Sequence, residues 1–60
     1  MKEFNFKYHF ISDFWESYTR TIFFRCDTVK EAYFEFGRFI GGVTNHKDIV
    51  IIDSVTVEEV

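Results

Sequence analysis

Near its start the chain alternates strictly: Phe4, Phe6, Tyr8 and Phe10 carry rings, and Asn5, Lys7 and His9 between them are polar. A period of two over residues 3 to 11 predicts a half-buried strand with its rings on one face. SDFWES, residues 12 to 17, is polar at both ends and predicts a hairpin tip. YTRTIFFRC, residues 18 to 26, is rich in Thr, Ile, Tyr and Phe and predicts a second strand. Its phase puts Tyr18, Ile22, Phe24 and Cys26 on one face together with Arg20. Phe23 falls on the other face with Thr19, Thr21 and Arg25.

The period then lengthens. In CDTVKEA, Thr28 with Glu31 three residues on forms a capping box, and Asp27 is a second candidate N-cap. Val29, Ala32, Tyr33, Phe36 and Ile40 follow at helical spacing, with Phe39 beside them, while Lys30, Glu31, Glu35 and Arg38 point away. Gly41-Gly42 is expected to end this helix, because glycine accepts the left-handed conformation past a last turn. VTNHKD is then a return loop and IVIIDSVTVEEV a last strand. In that strand Asp53 shares a phase with Ile49, Ile51, Val55 and Val57, a place where an unpaired carboxylate would be costly. A bulge at Asp53-Ser54 removes the conflict and sets Val50 and Ile52 in phase with Val55 and Val57.

Strand, strand, helix, strand predicts a two-layer α+β domain, ββαβ, with one helix packed on one face of a three-stranded sheet. A regular stripe of rings suits a central strand, so the expected sheet is antiparallel with order 2-1-3. The alternative puts the second strand in the middle and pairs the second and third in parallel.

Sixty residues make one domain, and one of this length is marginally stable without a helper. A single cysteine, Cys26, excludes an internal disulfide and points to a reducing, cytoplasmic setting. Its inward phase predicts a buried, inert thiol. Cys26, His9 and His46 lack the paired spacings of a zinc site, so neither a metal nor another cofactor is expected. No apolar run approaches the length of a membrane helix.

Seven basic against ten acidic side chains argue against a nucleic-acid footprint. Lys7, His9, Phe23 and Arg25 on the outer sheet face make only a thin stacking platform. A nucleic-acid- or ribonucleoprotein-associated domain using that face is the second reading. No catalytic constellation assembles: His9 lies on a polar strand face, and His46 sits among Asn45, Lys47 and Asp48, which read as a turn.

Rings remain that the core does not use. Phe14 and Trp15 fall at the hairpin tip, Phe23 on the outer sheet face and Phe34 on the solvent side of the helix. Ile11, with Ile49 and Ile51, adds apolar character to the outer face. Surplus exposed rings mark an interface, and aromatic residues are favoured at binding hot spots. Phe14, Trp15, Phe23, Phe34 and Ile11 are therefore the expected partner-binding residues. The expected partner is a protein or a second copy, docked on the outer sheet face or on an edge strand.

The element order, with TVKEA opening the helix and VTVEEV closing the chain, resembles that of small phage proteins that bind and inhibit a host enzyme, such as coliphage inhibitors of bacterial RNA polymerase. It is also similar to that of an archaeal large-subunit ribosomal protein. The phage resemblance implies an inhibitor or adaptor that works by protein contact.

Overall fold

In the computed structural model, which describes residues 1–12, 16–44 and 48–60, the chain runs β1 (Lys2–Ile11), β2 (Ser17–Cys26), α1 (Val29–Val43) and β3 (Ile49–Glu59). The sheet has the order β2-β1-β3, and both ladders are antiparallel. The helix carries the chain back so that β3 pairs with the free side of β1, which becomes the central strand.

Register decides which residues meet the helix. Between β1 and β2 it is unbroken, with Phe4 opposite Phe24, Phe6 opposite Ile22 and Phe10 opposite Tyr18. Between β1 and β3 it slips once: Lys7 faces Ser54 while Tyr8 faces Ile52, so Asp53 is the extra residue. This is the expected bulge. It brings Val50, Ile52, Val55 and Val57 opposite Phe10, Tyr8, Phe6 and Phe4, on the ring face.

The core is the stripe of β1 closed by two helix residues: Phe4, Phe6, Tyr8, Phe10, Ala32 and Phe36 are buried. Phe6 is 0% exposed. Its ring stacks on Phe36 at 4.7 Å and 8° and meets Tyr33 edge-on at 5.3 Å. Phe24 approaches it edge-on at 5.9 Å. Tyr33 and Val29 lie on the expected helix face, yet both are about half exposed. The covered stripe is therefore narrower than the apolar one. On the β3 side of the ring face, Ile52 and Val57 also remain exposed.

Thr28, rather than Asp27, caps the helix. Its Oγ1 accepts from the Glu31 N–H at 3.2 Å, the first bond of the box, and donates to Glu31 Oε1 at 3.3 Å, which ties the two side chains together. The other end corrects the sequence reading. Gly41 and Gly42 are helical, and α1 continues to Val43. The stop is Thr44, in extended conformation, whose N–H and hydroxyl both donate to the Ile40 carbonyl at 3.0 and 2.7 Å. A polar side chain that satisfies a terminal carbonyl makes a left-handed glycine unnecessary.

Two outcomes follow. A Cβ added at Gly41 or Gly42 meets nothing within 4 Å, so Gly41→Ala and Gly42→Ala should each stabilise by about 0.5–1 kcal/mol in urea unfolding. Glycines held in a left-handed cap would give the opposite sign. Phe6→Ala should cost about 3–5 kcal/mol. That is comparable to the roughly 3–9 kcal/mol available to a chain of this size, so its circular dichroism should show a largely unfolded protein.

Candidate functional site

Two backbone bonds at opposite ends of the sheet show which residues turn their peptide groups outward. Ser12 N–H donates to Glu16 O at 2.8 Å beyond one end of the β1–β2 ladder. Val60 N–H donates to Met1 O at 3.3 Å beyond the end of the β1–β3 ladder. Antiparallel pairs alternate between bonded and unbonded, so the even-numbered residues of β2 bond to β1. Ser17, Thr19, Thr21, Phe23 and Arg25 then present their N–H and C=O groups along the free edge of β2.

A groove of about 470 Å³ opens between this edge and the first half of α1. Phe24, Cys26 and Phe34 form its apolar wall, and Arg25, Lys30, Glu31 and Glu35 its charged one. Phe34 is 66% exposed, as expected, and it borders this groove. Phe23, 54% exposed, lies across the sheet from the groove, with the Arg25 guanidinium 5.8 Å from its ring centre. Two of the surplus rings thus border one strand edge from opposite sides.

Ile11 does not join them. It pairs with Ser17 and Ile49, six residues along β1 from Asn5, which faces Phe23. That spacing is about 20 Å, so Ile11 belongs with Ile49 and Ile51 at the far end of the outer face. Phe14, Trp15 and His46 lie outside the described residues. Phe24 and Glu35 were missed as wall residues. The order 2-1-3 makes β2 an edge, and that signal could have placed Phe24 at a rim rather than in the centre of the core.

The outer sheet face mixes exposed Phe23, Ile49 and Ile51 with polar side chains, some of which pair with one another. Arg25 Nε lies 3.2 Å from Glu3 Oε1, and Glu3 faces Glu58 on the other side. The Asp53 bulge puts its carboxylate on this face, 3.5 Å from His9 Nδ1, and Thr19 Oγ1 is 3.2 Å from the same nitrogen. Thr, His and Asp in one cluster suggest an acyl-transfer relay, but a relay uses the two ring nitrogens separately, one for the hydroxyl and one for the acid. Here both contacts share Nδ1. Among the described residues, no group of three His, Cys, Asp or Glu side chains converges as metal ligands, and no helix is long and apolar enough to cross a membrane.

Cys26 is half-buried in the groove wall rather than fully buried, and its Sγ donates to Thr28 O at 3.5 Å. Burial, and after it the carboxylates of Glu31, Asp27 and Glu35, pushes the thiol pKa above its ordinary value. A raised pKa means less thiolate at neutral pH and slower attack. Cys26 should react with a disulfide reagent more slowly than the same cysteine in a short unfolded peptide. Glu31→Gln with Glu35→Gln should speed it up. A folded-state rate equal to the peptide's would contradict this.

Comparison of the chain with protein-family models, with curated proteins and with solved structures finds no match in any of the three.

Proposed function

We propose that this chain is a small protein-binding domain that acts by contact rather than by catalysis, through the β2 edge and the rings that flank it. The observation that carries the reading is the pair Phe23 and Phe34, 54% and 66% exposed on opposite sides of one unpaired strand edge. Between them lies an apolar groove wall formed with Phe24 and Cys26. An unpaired edge supplies main-chain donors and acceptors to an incoming strand, and adjacent pockets select its alternate side chains. Rings beside such an edge supply most of the contact energy. A domain of this size regulates a larger protein by occupying part of its surface, which fits an inhibitor or adaptor and the element order shared with small phage proteins.

The test is capture from an extract of the native host on immobilised protein. Phe23→Ala with Phe34→Ala removes both rings without touching the buried stripe, so the fold should persist by circular dichroism. Proteins retained by the unaltered chain should be lost about tenfold or more. Equal retention by the double variant would overturn the assignment of this surface.

A further inference from the structure

We propose that the β2 edge takes a second copy of this chain. Two β2 strands pair antiparallel about a two-fold axis through Ile22 and extend the sheet to six strands. The inference rests on the protein-binding reading of this edge and adds the identity of what binds there.

The two free edges of the sheet differ in kind. β3 is interrupted by the bulge at Asp53 and carries Asp53, Glu58 and Glu59 with no Lys or Arg. Bulges and charge are the usual devices that blunt an edge. β2 has ten residues in unbroken register, with neither Gly nor Pro. Its charges are Arg20 and Arg25, on opposite faces of the sheet. Residues directly opposed in an antiparallel pair share a face, so no self-pairing can set Arg20 against Arg25.

The two ends of β2 complement each other. At the helix end lies the groove, with Phe24 and Cys26 below and Glu31, Glu35 and Phe34 above. At the hairpin end, on the same face, Arg20 and Tyr18 are exposed, the guanidinium 4.7 Å above the Tyr18 ring. Arg20 has no carboxylate partner among the described residues. A two-fold axis through Ile22 sets Arg20 of each copy opposite Phe24 of the other, beneath Glu31 and Glu35, and sets Tyr18 opposite Cys26. On the outer face it places Phe23 against Thr21. An axis through Thr21 instead puts Glu16 opposite Cys26, beside Glu31, where like charges repel. The pairing through Ile22 is closed and self-complementary, as a two-fold interface must be. It also supplies the burial that sixty residues lack.

Sedimentation at micromolar to millimolar concentration should show a species of twice the 7.3 kDa of one chain. Thr21→Pro removes an N–H that points off the edge and spares the ladder to β1, so it should give a folded monomer. Arg20→Glu alters an exposed side chain and should weaken the dimer about tenfold or more, with recovery on adding Glu35→Arg. In a Cys26→Ser background, Ile22→Cys should oxidise to a covalent dimer. The two positions form an unbonded pair with Cα atoms about 4.5 Å apart, within disulfide reach.

A dimer that survives both Thr21→Pro and Arg20→Glu would overturn this pairing while leaving the protein-binding reading intact. A strict monomer at millimolar concentration would overturn it as well. Assemblies growing past the dimer would mean head-to-tail pairing of β2 with β3, and the closed pair would be wrong. The broader reading fails separately, in the capture experiment.

Discussion

The ring face of β1 is the constraint on which the rest of this fold depends. As the central strand, β1 is paired on both sides, so its peptide groups are consumed by the two ladders. What it adds beyond them is one alternating row of side chains, and that row supplies four of the six buried residues. Phe6 stands at its centre, in ring contact with Phe24, Tyr33 and Phe36, so it ties β2 and α1 to the same point. Crossed and stacked rings of this kind contribute beyond their buried area. The helix is therefore held by a narrow row, Ala32 and Phe36 with Phe39 and Ile40 beside them, rather than by its whole apolar stripe. This explains why Val29 and Tyr33 can lie on the inner side and still be half exposed.

One helix cannot cover the whole of one sheet face. Strands of ten or eleven residues run about 33 Å and a helix of fifteen residues only about 22 Å, so α1 leaves part of that face exposed. Exposed apolar residues follow from that shortage, but they are not equivalent. Ile49 and Ile51 on the outer face are interleaved with His9, Lys7 and Ser54, and Asp53 and Glu3 there already contact His9 and Arg25. Such a surface is wet and mixed. Phe23 and Phe34 instead flank backbone groups that have no ladder partner, so directional bonds and apolar area are offered at one place. That coincidence sets the β2 edge apart from scattered exposure.

Much of this was legible from residue order, and the exceptions have physical causes. Period two in residues 3 to 11 located the central strand, because a one-residue slip would turn every ring to water. Thr28 and Glu31 announced the helix start, because their bonds are local. Asp53 announced the bulge, because a carboxylate on the core face would have been costly. The glycines misled. Residue type suggested a stop at Gly41-Gly42, but the decision lay with Thr44, whose side chain could reach the Ile40 carbonyl. Phe34 was rightly placed off the core, but what it faces depends on where the helix crosses the sheet, and no spacing within the helix encodes that. The groove beside it joins residues of two elements, so it became visible only in three dimensions.

Asp53 connects the core to the surface more closely than its position suggests. The extra residue keeps a carboxylate out of the ring face and brings Val50 and Ile52 into phase with Val55 and Val57. The same insertion breaks the outer strand at mid-length and leaves an acid on the face beside His9. A single residue thus completes one side of the core and makes the β3 edge a poor template. The sheet then has one regular edge, β2, and the chain folds its capped helix back beside that edge. The asymmetry that leaves β2 as the regular edge follows from the register needed to bury the stripe, so core packing and edge geometry are two consequences of one constraint.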